Sequence, residues 1–247
     1  MHFPFYIFGI HPHLVFESLA YFIGFRLYLN TRNKDRIPLD KAIWVVIGAT
    51  LGAAVGSKLL YWFEDPLKTM KNWDNLIYLL EGKTIVGGLL GGLIGVETAK
   101  KLIGWRRSTG DDFVLPLAVG TMIGRIGCFL TGLGDHTYGV STTLITGIDF
   151  GDGIKRHPTQ LYEIFFLALL IFAIWNVKRK RMGWEGMLFQ LFMLGYLTFR
   201  LLIDFIKPTP HPYGILNNIQ LASLLGILYY ILLISKKQIE KRREVHA

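Results

Sequence analysis

Seven long apolar runs separated by short polar segments dominate this sequence and leave few folds open to it. They cover residues 13–30, 42–63, 84–103, 113–133, 160–177, 184–206 and 215–234. A helix needs about 20 largely apolar residues to cross the hydrocarbon layer of a bilayer, and each run meets that length if one or two internal polar groups are tolerated. Composition agrees, since 51% of the chain is hydrophobic and only 18% charged, where a soluble domain carries about a quarter charged residues. We therefore expect an all-α integral membrane protein with seven transmembrane helices, residues 1–247 forming a single polytopic membrane domain. The opening MHFPFYIFGIHP has neither basic residues before its apolar part nor a small-residue cleavage site, so it reads as an aromatic interfacial segment and not as a cleaved signal peptide.

The net charge of +9 could point to nucleic acid, but the Lys and Arg form blocks between the runs and no continuous stripe. Seventeen of the 27 fall in one set of connections and in the tail: Arg32, Lys34, Arg36 and Lys41; Lys100, Lys101, Arg106 and Arg107; Lys178 to Arg181; and Lys236, Lys237, Lys241, Arg242 and Arg243. The other set has six. Basic residues near span ends resist translocation, which places the N-terminus outside and the C-terminus inside. Two outer connections then stand out. Residues 64–82 carry Met70, Trp73, Ile77 and Leu80 at spacings of three and four, the pattern of a short external amphipathic helix lying on the membrane surface. Residues 134–157 are rich in glycine and read as an external loop subdomain of turns with a small strand pair.

Charges within spans are expensive, by about 2.5–3.5 kcal/mol at a helix centre, and normally face a partner or a wet cavity. With the direction of each span fixed, Lys58, Arg125, Arg200, Asp204, Glu17 and Glu163 all lie in the outer half, while Arg26 lies near the inner end of its span and can snorkel. One reading is structural: arginines and carboxylates neutralise each other, as Arg200 and Asp204 can one turn apart. The other is a pocket at one depth that also holds His157, Tyr162, Tyr196, Gln160 and Gln220. Two guanidiniums there suit a phosphate, which arginine grips by paired charge-assisted hydrogen bonds, and a phospholipid headgroup is the phosphate available at that level. His157, just before Pro158, is either a helix cap or a proton acceptor.

Glycines at 48, 52 and 56, at 87, 91 and 95, and at 88 and 92 recur every four residues, a spacing that lets helices pack closely. The single cysteine, Cys128, excludes an intrachain disulfide and a Cys-rich metal centre. It reads as a small packing residue or as one of the substrate-binding groups. No metal or other cofactor is expected.

The segments GRIGCF…YG and HPTQLYE together resemble the prolipoprotein diacylglyceryl transferase family over most of the chain, including the seven-span plan. Gly124, Arg125, Gly127, Phe129 and Gly139 match the family's GRxGNF motif and the glycine after it. His157, Pro158, Gln160, Leu161, Tyr162 and Glu163 match its HPSQLYE, and Tyr196, Arg200 and Asp204 match its sixth-helix pattern. The resemblance implies an enzyme of the bacterial inner membrane, its active side facing outward. Such an enzyme moves the diacylglyceryl group of phosphatidylglycerol to the thiol of a lipobox cysteine in a prolipoprotein and releases glycerol phosphate. Arg125 and Arg200 would hold the phosphate, and His157, His136 or Asp135 would take the thiol proton. The sequence also departs from the family. A third-helix histidine is replaced by Val86 or Leu90, the motif asparagine by Cys128 and a first-helix tyrosine by Glu17. The acid after GRxGNF is supplied by Asp135 only through an expanded GLGDHTYG. These departures leave a paralogue with another acceptor, or a non-catalytic lipid-binding membrane protein, as alternatives.

Overall fold

The computed structural model describes residues 3–32, 37–179 and 184–246. Its helices, in chain order, are α1 (Pro12–Thr31), α2 (Leu39–Trp62), α3 (Pro66–Lys71), α4 (Leu76–Leu80), α5 (Ile85–Leu102), α6 (Val114–Thr131), α7 (Thr159–Arg179), α8 (Met187–Ile203) and α9 (Asn218–His246). A two-stranded antiparallel ribbon, β1 (Ile148–Asp149) and β2 (Lys155–Arg156), lies between α6 and α7. Among the described residues the structure is thus all-α apart from this ribbon. Among the described residues, five helical stretches are long and apolar enough to cross a membrane: Leu39–Trp62, Gly110–Asp135, Thr159–Arg179, Met187–Ile206 and Asn218–Lys241. The other two runs, 13–30 and 84–103, form α1 and α5 but are not among these five. Glu17, Arg26 and two tyrosines dilute α1, and α5 ends in Glu97, Lys100 and Lys101. Of the basic blocks, Lys34, Arg36, Lys180 and Arg181 lie outside the described residues.

Two compact units make up the chain. The first contains Met1–Arg32, Gly110–Phe192 and Phe205–Pro208, the second Asn33–Thr109, Met193–Asp204 and Thr209–Ala247. The opening turns of α8 belong to the first and its remainder to the second.

In the first unit α1 runs antiparallel to α6. A Cβ placed on Gly120 would lie 3.5 Å from the Ala20 carbonyl oxygen, one on Gly24 would lie 3.5 Å from that of Pro116, and one on Gly127 would lie 2.6 Å from Phe16 Cβ. The N-terminal segment is docked at one end and exposed at the other. Phe5 N–H donates to Leu130 C=O at 3.1 Å, and the Phe3 ring packs against Phe129 and Phe150. Tyr6, Phe8 and Ile10 project outward around a tight turn in which Ile7 and Ile10 exchange both backbone hydrogen bonds. After α6 the chain turns at Gly132, whose φ of +71° suits a residue without a side chain. The ribbon that follows is held by Asp149, whose Oδ1 accepts the Gly151 and Gly153 N–H groups at 2.7 and 3.0 Å. Arg156 grips Asp152 with two hydrogen bonds of 2.7 Å and lies over the Tyr138 ring.

The second unit is organised by glycine. The faces Gly48, Gly52, Gly56 of α2 and Gly87, Gly91, Gly95 of α5 meet backbone to backbone. A Cβ on Gly48 would lie 2.6 Å from the Gly95 carbonyl oxygen, and Cβ atoms on Gly52 and Gly91 would each overlap the other's carbonyl. Gly88 and Gly92 look toward Ala53, Ser57 and Ala49 at ordinary distances of 3.4–4.0 Å. Residues 64–82 fold as two short helices instead of one, because Asp65 caps the first and Asn75 restarts the chain by accepting the Ile77 and Tyr78 N–H groups.

Two outcomes follow from this packing. Gly52→Leu or Gly91→Leu should destabilise the second unit by about 1–3 kcal/mol or more, as overpacking does, whereas Gly88→Ala should be close to neutral; thermal unfolding in detergent reads the difference. Hydrogen bonding to Arg156 holds the Asp152 carboxyl below the ordinary aspartate value of 3.8. This ion pair is therefore fully formed above pH 3.8 and is lost as pH falls through the depressed value. The Ile154 N–H donates to Asp152 Oδ1 at 3.2 Å, so its protection against exchange, taken relative to the intrinsic rate at each pH, should fall only in that acidic window, and in Asp152→Asn it should be reduced at every pH.

Candidate active site

Arg125 stands on α6 among Ile123, Ile126 and Cys128, and the residue is only 6% exposed. Its counter-charge comes from the HPTQLYE segment: Arg125 Nε lies 2.9 Å from Glu163 Oε2 on α7. Both side chains are buried, and breaking a buried ion pair by removing one partner costs about 3–5 kcal/mol. The two most distinctive motifs of the sequence are therefore one structural feature. Arg125 Nη1 also approaches Cys128 Sγ, at 3.8 Å.

Around this pair the loop before α7 is tied down residue by residue. Asp135 closes a short 3-10 turn, Gly132–Asp135, and its Oδ2 accepts the Thr137 hydroxyl at 2.5 Å. Thr137 is fixed in turn from α7, where Gln160 Nε2 donates to its Oγ1 at 3.0 Å and Thr159 Oγ1 donates to its carbonyl. Gly139 N–H donates to His157 C=O at 2.8 Å. A Cβ on Gly139 would sit 2.7 Å from His157 Cβ and 2.8 Å from the Ile206 carbonyl oxygen, so close approach requires glycine there. His157 Nδ1 lies 3.2 Å from the Tyr162 hydroxyl, which bonds Thr146 Oγ1 at 2.9 Å. His157 is thus oriented through its side chain as well as standing before the helix.

One polar group in this unit was not singled out from the sequence. His13, on the first turn of α1, has Nδ1 3.4 Å from Glu17 Oε2 and Nε2 3.4 Å from Asp135 Oδ1. Its four-residue spacing from Glu17 was the available signal. The contact with Asp135 comes from the antiparallel pairing of α1 and α6. Donor atoms of His13, Cys128 and Asp135 lie within 4.8 Å of one another, a set that could hold a metal ion.

The remaining candidates belong to the second unit. Arg200 Nη2 meets Asp204 Oδ1 at 2.9 Å, with the side chains 4% and 0% exposed. Tyr196, one turn earlier, is buried. Lys58 and Gln220 have identifiable structural work. Lys58 Nζ donates to the carbonyls of Leu80, Glu81 and Gly82, closing the end of α4. Gln220 forms a capping box at the start of α9, its Oε1 accepting Asn217 N–H at 2.9 Å while its own N–H donates to Asn217 Oδ1 at 2.7 Å. Its Nε2 donates to Leu201 C=O at 3.3 Å.

Comparison with known proteins identifies the family. The family model for prolipoprotein diacylglyceryl transferase matches residues 2–236. The phosphatidylglycerol–prolipoprotein diacylglyceryl transferase of Pseudoalteromonas translucida is 31% identical over 245 residues, covering 90% of this chain and 86% of its own. The protein of the same name from Chlorobaculum tepidum is 31% identical over 209 residues, 76% of this chain and 71% of its own. That from Clostridium tetani is 30% identical over 226 residues, 87% and 89% respectively. With a match running almost from end to end and Arg125 paired to Glu163 across its two signature segments, the chain belongs to the prolipoprotein diacylglyceryl transferase family.

Proposed function

We propose that this protein transfers the diacylglyceryl group of phosphatidylglycerol to the thiol of a lipobox cysteine in a prolipoprotein, as a multi-pass protein of the bacterial inner membrane. α1, α2, α5, α6, α7, α8 and α9 are its seven spans, the N-terminus lies outside and the C-terminus inside, and residues 64–82 and 134–157 face outward with the reacting groups. In the reaction the acceptor sulfur bonds to the glyceryl carbon as the bond from that carbon to the phosphate oxygen breaks. The electron pair stays on that oxygen, which leaves with glycerol phosphate.

The observation that carries this reading is the buried Arg125–Glu163 pair. An arginine has five N–H donors in a rigid fork, so a guanidinium can be aimed by a carboxylate and still serve a phosphate. Donors fixed in advance in a water-poor site stabilise charge as it develops on a leaving group, by about 10²–10³ in rate for a single donor. Arg200, held by Asp204, has the same form of support, and Tyr196 precedes it on the same helix. His157 and Asp135 are assigned the thiol proton, because a thiolate is the competent nucleophile. Gln160, Tyr162 and Gly139 position them through the contacts described above. A second reading, a lipid-binding protein or a transferase with another acceptor, is favoured by one observation: Val86 or Leu90 stands where the family has a third-helix histidine.

Purified protein incubated with labelled phosphatidylglycerol and a lipobox peptide separates these readings. Transfer of label to the cysteine is expected, with Arg125→Lys and Arg200→Lys each losing at least tenfold because lysine keeps the charge for the buried carboxylate but not the fork. Unchanged rates in both variants would remove the phosphate-holding role. Lipid binding without transfer to any peptide would establish the second reading.

A further inference from the structure

The cluster of His13, Cys128 and Asp135 is used only in part by the mechanism above. It draws on three stretches: the first turn of α1, the last turn of α6 and the 3-10 turn that follows. His13 Nε2 and Asp135 Oδ1 are already 3.4 Å apart, the edge of a tetrahedron with metal–ligand bonds of about 2.0–2.1 Å. All three donors lie within 4.8 Å of one another, so a small rotation of the thiol brings it onto the same ion.

Both non-sulfur donors have the outer partners that ligands usually have. Glu17 Oε2 lies 3.4 Å from His13 Nδ1, on the other side of the ring from Nε2, and Thr137 donates to Asp135 Oδ2, which leaves Oδ1 toward His13. Outer contacts of this kind orient ligands and set the histidine tautomer. Arg125, 3.8 Å from Cys128 Sγ, is paired with Glu163, which tempers its repulsion of a cation bound beside the sulfur. The cluster is reachable from the His13 side, where the side chain is 35% exposed, while Asp135 is buried at 8%.

We infer that His13, Cys128 and Asp135 form a three-ligand site for a zinc-type divalent ion, with an open position that takes an external thiol. A donor set of one nitrogen, one sulfur and one oxygen suits a borderline ion, and three protein ligands with a vacant position is the form of a catalytic centre. The role of the open position rests on the transferase reading. An acceptor cysteine bound there is held as thiolate, since a coordinating thiol is deprotonated outright, and its proton passes to His157. The S–C and C–O bond changes then follow as written above, and Asp135 is a ligand while His157 is left for proton movement.

The test uses the full-length protein in detergent, stripped with chelator and titrated with Co2+ as the probe. One Co2+ per chain is expected, with a sulfur-to-cobalt charge-transfer band that Zn2+ abolishes by displacement. Cys128→Ser should lose the band, and His13→Ala and Asp135→Asn should each weaken binding at least tenfold. Absence of the band in the unmodified protein overturns the site, whatever the variants do. Adding a lipobox peptide should intensify the band as a second sulfur binds, and no change on addition overturns the thiol-binding role. A band without any lipid transfer leaves the ion site standing and removes the transferase reading, whereas transfer by chelator-stripped protein that shows no band does the reverse.

Discussion

A charge set among apolar helices has to find its compensation inside the protein, and that requirement shapes both units. Arg125 takes Glu163 from the next long helix, Arg200 takes Asp204 from its own, and Lys100 takes Glu97. Lys58 solves the same problem without a carboxylate, through three carbonyls at the end of α4. The α6–α7 pair has the widest consequence because it links two helices and not two turns of one. Once Glu163 is committed to Arg125, the rotation of α7 is set. Gln160 and Thr159 then face Thr137 at the loop, and the loop in turn is held where Asp135 meets α1.

Close backbone approach is the second constraint, and it works where charge is absent. α2 and α5 share a face lined mainly by glycine, so much of their contact comes from carbonyl oxygens lying where Cβ atoms would stand. Without a hydrophobic force between helices in lipid, such packing is a main source of association. In the first unit the same device appears singly, at Gly127 under Phe16 and at Gly139 between His157 and Ile206.

The fold was largely legible before any coordinates. Each apolar run became a helix, the ribbon appeared within 134–157, and the four-residue glycine spacing meant packing. The run at 215–234 became a helix that starts later, at Asn218, because the capping box at Asn217 sets its first turn, and it continues through the basic tail. The site was legible in its residue types but not in its pairings. Arg125 and Glu163 were both visible as charges at one depth, yet nothing in the spacing said that each was the other's partner. Lys58 and Gln220 looked like pocket residues from their depth alone, and their bonds to local backbone could be read only from coordinates. His13 was passed over because its significance lies in a contact with a residue more than a hundred positions away.

The sequence by itself determined the all-α character, the apolar lengths, the basic blocks and the motifs that assign the family. These follow from local composition and from periods of three to four residues, which are properties of a stretch of chain read alone. Only the tertiary structure decided that the two glycine faces meet each other, that the GRIGCF and HPTQLYE segments share one ion pair, and that His13, Cys128 and Asp135 converge. Those outcomes depend on which helices become neighbours and at what rotation, and that is fixed by burying charge against charge and backbone against backbone across the fold.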